Sequence, residues 1–286
     1  MTDIATEFLD HYLADETKSR FAVMIEGPWG AGKTWFVKRY LNARAAARKK
    51  ADPLNGDGYV YISLYGKSSR AEVAAALFTA AHPILAGKWV QGGLGVLGRL
   101  ANTATRGQAV KATDAAALQA AVTELRGKVI VFDDVERCEM PPAELFGYLN
   151  DFVEGQQLKV LLIANEIELS AKYKVDYKSQ KEKVVGKTLE VKADASAAYR
   201  ALASQLGNPV ARKAAQDNEA GALIVFHASG TNNIRSIRAA LDDFARVVSA
   251  ADSRLAESET GLQMLLLYML ATTIESRAGK LEFHVT

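Results

Sequence analysis

The segment GPWGAGKT (27–34) lies between the apolar run FAVMIE and the helical stretch WFVKRYLNARAAARKK. That order limits the chain to folds in which a strand feeds a phosphate-binding turn and then a helix. Gly27, Gly30 and Gly32 admit backbone conformations closed to residues with a Cβ, so consecutive N–H groups can turn inward around an anion. Lys33 is spaced to reach the β- and γ-phosphates of a nucleotide as a point charge, and the Thr34 hydroxyl to enter a magnesium shell. The positive end of the following helix is aimed at the same place. The full G-x4-G-K-T pattern with both flanks separates this loop from an ordinary glycine-rich turn. The expected nucleotide-binding residues are Gly27, Pro28, Trp29, Gly30, Ala31, Gly32, Lys33, Thr34 and Trp35.

A chain of 286 residues, 49% hydrophobic and 24% charged, buries a large core in one or two domains and does not read as disordered. Its net charge of +2 gives no general attraction to nucleic acid or to an anionic membrane, so any such partner would bind locally. The single cysteine, Cys138, excludes an internal disulfide and fits a reducing compartment, and no Cys/His cluster has metal-ligand spacing. The start MTDIATEFLDHYLADE lacks the basic and apolar regions of a signal peptide, so a cytoplasmic location is expected. One glycine-rich insert, about 84–107, contains the stretch ILAGKWVQGGLGVLGRLA (84–101). It falls short of the roughly 20 apolar residues a spanning helix needs. It reads as a loop or hairpin, with subunit contact or peripheral membrane contact as the alternatives.

Strand and helix signals alternate along the first two thirds. A helix over 3–13 precedes FAVMIE, and YVYISL forms a second strand after the turn-rich ADPLNGDG. RAEVAAALFTAAHPIL and TDAAALQAAVTELRG read as helices, the former ending near Pro83. The apolar runs KVIVFDD (128–134) and KVLLIAN (159–165) suit parallel strands covered on both faces. PPAELFGYLNDFVEG is the crossover helix between them, and TLEV (188–191) a fifth strand. Beyond residue 193 alanine-rich helices follow: ASAAYRALASQLG, VARKAAQDNEAGALIVFHA, NNIRSIRAALDDFARVVSAA and a last one around GLQMLLLYMLATTIES. The expected organisation is a nucleotide-binding core over 1–192 and a helical lid over 193–286. The basic run RAAARKK (44–50) reads as a solvated helix end opposing the helix dipole.

The residues at the other strand ends decide what a phosphate loop does. Asp133 ends an apolar strand in the Walker B manner and is the candidate magnesium carboxylate opposite Thr34. Asp134 beside it is the candidate base that polarises water in line with the γ-phosphate, with Glu136 in reserve. Position alone does not choose between them. Asn165 ends the next strand, where an amide can hydrogen-bond both γ-phosphate and water, the sensor 1 position of AAA+ ATPases. In TNNIRSIR, Arg235 and Arg238 share one face near a helix start. Arg235 is the candidate lid arginine, a solvated surface residue being the other reading. Lys33, Asp134, Asn165 and Arg235 are thus the expected catalytic residues, and Thr34 and Asp133 the metal pair.

GPWGAGKT with its tryptophan, followed by DDVERC (133–138), resembles the KAP family of P-loop ATPases, relatives of AAA+ and STAND signalling proteins. The resemblance runs through motifs from Phe21 to about Asn165, and more loosely through KEKVVGKTLEV and NNIRSIRAAL. It implies an ATP- and Mg2+-dependent ATPase with an α/β parallel sheet of order 5-1-4-3-2 and a C-terminal helical lid. Two departures stand out. The interval that holds transmembrane helices in many KAP proteins carries the glycine-rich insert here. No arginine occurs between Arg137 and Arg200 to serve as a finger in trans, leaving Lys181, Lys183, Lys187 or Arg137; an ion pair bracing the Walker B segment is an equal reading of Arg137.

The resemblance implies a signalling ATPase module that couples nucleotide state to a homo-oligomer or to a separate effector protein, as in phage-defence systems. Two alternatives stay open: a nucleic-acid-dependent AAA+-type loader or translocase, and a nucleotide-controlled switch with little turnover. No nuclease or deaminase grouping is visible, with His11, His82, His227 and His284 scattered in sequence.

Overall fold

The computed structural model describes residues 2–51, 58–82, 125, 127–173, 175–192, 194–231 and 233–281. The glycine-rich insert and nearly all of TDAAALQAAVTELRG lie outside the described residues. The chain divides into two compact units, Met1–Gly27 with Lys33–Val191, and Pro28–Gly32 with Lys192–Thr286. Elements are numbered over the described residues.

The first unit is built on five parallel strands: β1 Ala22–Glu26, β2 Tyr59–Ser63, β3 Val129–Asp133, β4 Lys159–Ala164 and β5 Val185–Glu190. Their order is β2-β3-β4-β1-β5, the reverse reading of 5-1-4-3-2. Successive side chains on a strand point to opposite faces, and both faces here are apolar. Ala22, Met24, Ile130, Phe132, Val160 and Leu162 belong to one core. Val23, Ile25, Val129, Val131, Leu161 and Ile163 belong to the other. Truncating one of these side chains, Leu161→Ala for example, costs about 2–5 kcal/mol.

Helices α1 Thr2–Tyr12 and α2 Lys33–Ala51 supply residues to the second core, among them Leu9, Tyr12, Val37 and Leu41. Tyr12 ties α1 to the backbone of β4 and to the residue that leads into β1. Its hydroxyl donates to the Phe21 and Val160 carbonyls at 2.9 and 3.2 Å and accepts from the Val160 N–H at 3.1 Å. Burial pushes this phenol up to about 12. The first core takes residues from α3 Arg70–Ala81, α4 Pro142–Asn150, α5 Glu166–Tyr173 and α6 Val175–Val184. Ser69 caps the start of α3, its Oγ accepting from the Glu72 N–H at 3.4 Å, and the Glu72 carboxylate accepts from the N–H of the preceding Ser68 at 2.7 Å.

Several elements depart from the sequence expectation, α5 and α6 being helices it did not include. The crossover helix ends at Asn150 and continues as a wider π-type turn, Asp151–Gly155. The fifth strand starts at Val185, three residues before TLEV, because GKT is polar and its first two residues stay exposed at a sheet edge. A polar helix, α6, precedes it; only Tyr177 and Val184 of its described side chains are buried, too few to show a periodicity in sequence.

The second unit packs α7 Ala195–Ser204, α8 Pro209–Asp217, α9 Glu219–Ala228, α10 Ile234–Ala250, the short α11 Ser253–Ala256 and α12 Glu259–Arg277. Its core includes Tyr199, Phe226, Leu241, Phe244, Leu266 and Leu270. VARKAAQDNEAGALIVFHA forms two helices rather than one. Asn218 breaks it, its Nδ2 donating to the Ala214 carbonyl at 2.8 Å while its own carbonyl accepts from the Ala222 N–H at 3.1 Å. Asp194, Asn208, Asn233 and Ser258 cap the starts of α7, α8, α10 and α12 through their side-chain oxygens. Among the described residues no helix is long and apolar enough to cross a membrane.

Candidate nucleotide and magnesium site

In a parallel sheet all carboxyl ends lie at one edge, and ligands bind outside that edge. Here it presents Ser63, Asp133, Ala164 followed by Asn165, Glu26 and Glu190. β4 lies between β1, which feeds the glycine loop, and β3, which delivers Asp133. Asn165 therefore emerges between the loop strand and the carboxylate strand.

Burial marks the same residues. Among the described residues six polar or charged side chains are buried, and four of them are Lys33, Asp133, Glu136 and Asn165. A charge is rarely buried without a partner or a task. The Lys33 ammonium donates to the Gly27 carbonyl at 2.7 Å, which folds it back within the loop. Oδ2 of Asp133 accepts the Thr34 hydroxyl at 2.6 Å and the Tyr61 hydroxyl at 2.6 Å, and Oδ1 accepts the Asp134 N–H at 2.7 Å. Burial, followed by the hydrogen bond to Asp133, holds the Tyr61 phenol well above its ordinary range, so it stays a donor. The Lys38 ammonium, one turn beyond Thr34 on α2, sits 3.7 Å from the centre of the Tyr61 ring.

Asp134 occupies the left-handed region, φ 55° and ψ 40°, which a short polar side chain tolerates. Its Oδ2 accepts the Ser63 hydroxyl at 2.8 Å, and Arg137 Nε stands 3.9 Å from Oδ1. Arg137 also lies over the Tyr65 ring, 5.3 Å from its centre. Glu136, the reserve base, uses Oε2 to accept the Asn165 N–H at 3.1 Å, bridging the ends of β3 and β4. Lys172 donates to the carbonyls of Glu136 and Cys138, which ties the DDVERC turn to α5. Trp35 is exposed, with the Arg39 guanidinium 4.9 Å from its ring centre.

A second charged group surrounds the end of β1. Lys181 pairs with Glu166, so it is already committed within its own chain. Burial, then a hydrogen bond with Glu166, holds the Glu26 carboxyl above the ordinary glutamate range. Burial also opposes ionisation of Glu166, but the Lys181 hydrogen bond and charge outweigh it and hold that carboxyl below the usual range. Lys187 lies 5.6 Å from the centre of the Phe8 ring.

The second unit contains the loop residues Pro28–Gly32. Gly30 and Gly32 have φ of +80° and +87°, conformations that need glycine. The Gly30 carbonyl accepts the Ile234 N–H at 3.1 Å, and a Cβ on Gly30 would fall 2.0 Å from Asn233 Oδ1. Arg235 is the second residue of α10; it and Arg238 are exposed.

Tyr61, Ser63, Lys38, Glu26 and Glu166 belong to no sequence motif. The signal for two of them was present in YVYIS, where Tyr61 and Ser63 alternate with the buried Val60 and Ile62. Magnesium takes hard oxygen ligands and keeps most of its waters, and Thr34 Oγ1 beside Asp133 Oδ2 is a donor pair of that chemistry. Among the described residues there is no cluster of three or more His, Cys, Asp or Glu for a softer or all-protein metal site.

A parallel sheet of this order, with Lys33, Thr34 and Asp133 gathered at its carboxyl edge, defines a P-loop α/β protein of the AAA+ type. The profile of the AAA domain matches residues 16–172, over half of the chain, and the chain belongs to that family. No curated protein sequence matches it. Among solved structures it is similar to the Aeropyrum pernix ORC2 protein in ADPNP-ADP complexes, at 14% identity and TM-score 0.52. The ADP form of that protein gives 16% and 0.53; both likenesses cover 93% of this chain and 66% of the other. The Aeropyrum pernix ORC1 protein in complex with DNA is more distant in shape, with 17% identity and TM-score 0.48 over 100% of this chain and 78% of that one. At such identities the likeness is one of fold. The chain spans 66% of the length of the ORC2 chains.

Proposed function

We propose that the protein binds and hydrolyses MgATP, as a KAP-like signalling ATPase whose nucleotide state controls assembly of its own copies or of a separate effector, phage defence being the candidate setting. The observation that carries the nucleotide reading is the buried set Lys33, Asp133 and Asn165, with Thr34 hydrogen-bonded to Asp133 at the loop. Lys33 would neutralise the β- and γ-phosphates, and Thr34 and Asp133 would hold magnesium, which supplies charge neutralisation at the phosphates. Asp134 would act as base, and Asn165 would orient water and γ-phosphate. Ser63 keeps Asp134 in place through the 2.8 Å hydrogen bond.

The alternative nucleic-acid-dependent loader has less support from charge. In the basic end of α2, Arg44 donates to the Leu13 carbonyl at 2.6 Å, and Arg48 makes two hydrogen bonds to Asp15 at 3.1 and 2.9 Å. Two cations of that run are therefore engaged within the chain, and Lys49 and Lys50 are exposed.

The test is hydrolysis together with size analysis, with and without ATP, for wild type, Lys33→Ala and Asp134→Asn. Turnover lost in both variants supports the ATPase with Asp134 as base; turnover equal to wild type in Lys33→Ala sinks the ATPase, and in Asp134→Asn alone it removes Asp134 as the base. Assembly on ATP without turnover favours the switch, and salt-sensitive stimulation by DNA or RNA favours the loader. Arg235→Ala in the same assay asks whether the helical unit contributes to turnover.

A further inference from the structure

Strand β2 hands one hydroxyl to each of the two carboxylates that end β3 and begin the next turn. Tyr61 and Ser63 are two apart and so share a face. Tyr61 donates to Asp133 at 2.6 Å and Ser63 to Asp134 at 2.8 Å. Ser63 pairs with Asp133 in the ladder and Tyr61 with Val131, so the phenol reaches along the strand by its ring length to meet the carboxylate. The ring is held in turn. Lys38 covers it at 3.7 Å, and Lys38 follows Thr34 by one helical turn, so one face of α2 touches both donors' target and the ring.

We propose that Tyr61 is a positioning residue for the metal-binding carboxylate of Asp133. This rests on the assignment of Thr34 and Asp133 to magnesium made above. Oδ2 of Asp133 receives two O–H donors at 2.6 Å while Oδ1 is taken by the Asp134 N–H. A carboxylate with one oxygen tied to the backbone rotates about its Cβ–Cγ bond unless the other oxygen is also held. Thr34 donates its proton to Oδ2 while its lone pairs face the metal in this reading, so Tyr61 is the second donor on that oxygen and the one that is not itself a ligand. Tyr61 touches neither phosphate nor metal in this assignment; it fixes the ligand plane, as hydrogen-bond partners of metal ligands do in general.

The experiment uses the full chain saturated with ADP, Mn2+ as the probe, and free Mn2+ read from its paramagnetic resonance signal. Tyr61→Phe keeps the ring and removes the hydroxyl. The expected result is a Mn2+ dissociation constant raised about 10-fold, with ADP affinity in EDTA unchanged, a split that general loss of structure would not produce. Asp133→Asn is the benchmark for loss of the ligand itself. Should Tyr61→Phe lower the melting temperature enough to blur the titration, Lys38→Met decides: it frees the ring without touching the hydroxyl and is expected to weaken Mn2+ binding by about two- to fivefold. A Tyr61→Phe titration that superimposes on wild type overturns the positioning role and leaves the nucleotide site standing. A wild-type protein that binds ADP but gains no Mn2+ affinity from it overturns the metal assignment, and the role of Tyr61 with it.

Discussion

The Thr34 hydroxyl donates to Asp133 Oδ2 at 2.6 Å across 99 residues of sequence. The bond joins the first turn of α2 to the last residue of β3, and it sets two hard oxygen atoms, Thr34 Oγ1 and Asp133 Oδ2, side by side.

Lys33→Ala should leave the fold intact and lower nucleotide affinity by about 10- to 100-fold, the loss of a charged hydrogen bond worth about 1.5–3 kcal/mol. Calorimetric titration with ADP checks this. An unchanged affinity would mean that the ammonium, although it stays against the Gly27 carbonyl, never meets the phosphates.

Asp134→Asn should bind nucleotide normally and lose about 10²- to 10⁴-fold in single-turnover hydrolysis, the range for a general base. Ser63→Ala should lose about two- to tenfold by releasing that carboxylate. Normal hydrolysis by Asp134→Asn would remove it from the chemistry and leave it as a turn residue in the left-handed region.

Stability should depend on pH through Glu26 and Glu166 with opposite signs. The Glu26 carboxyl is held above its ordinary range, so the folded chain keeps a proton that the unfolded chain has released, and its contribution is lost as pH rises from the ordinary value through the raised one. Glu166 is held below its ordinary range, so its contribution is present above that value and lost as pH falls through the lowered one. Melting curves of wild type and Glu26→Gln across this interval test the first half. The variant should lack the fall on the alkaline side, and a fall of the same size in both proteins would exclude Glu26 as its source.

Cys138 should be inert in the folded protein. It is fully buried, burial pushes its thiol up, and its Sγ donates to the Lys67 carbonyl at 3.3 Å. A thiol reagent should react at least about tenfold faster in denaturant than in buffer, since modification requires opening of the DDVERC turn. Equal rates would show that this turn opens freely.

The strands and their order of use were readable because a sheet covered on both faces needs uninterrupted apolar runs, and VIVFD and KVLLIA are such runs. β5 and α6 were partly or wholly hidden for the converse reason. An edge strand and a surface helix bury few side chains, so Val185, Leu189, Tyr177 and Val184 leave only a faint pattern among polar neighbours. Lys33 and Thr34 were legible as candidates because the G-x4-G-K-T motif has a fixed spacing, and Asp133 because it ends an apolar strand; the structure brings Thr34 and Asp133 together.

By itself, then, the amino-acid sequence determined that a strand, a phosphate loop and a helix follow one another and that an apolar strand ends in two carboxylates. Tertiary structure alone decided what each carboxylate meets. Tyr61, Ser63 and Lys38 carry no motif, and they reach Asp133, Asp134 and one another only because β2 pairs in register with β3 while α2 packs across the sheet face. Hydrogen bonds act over about 3 Å, and only the folded backbone brings residues 61 and 133 within that reach.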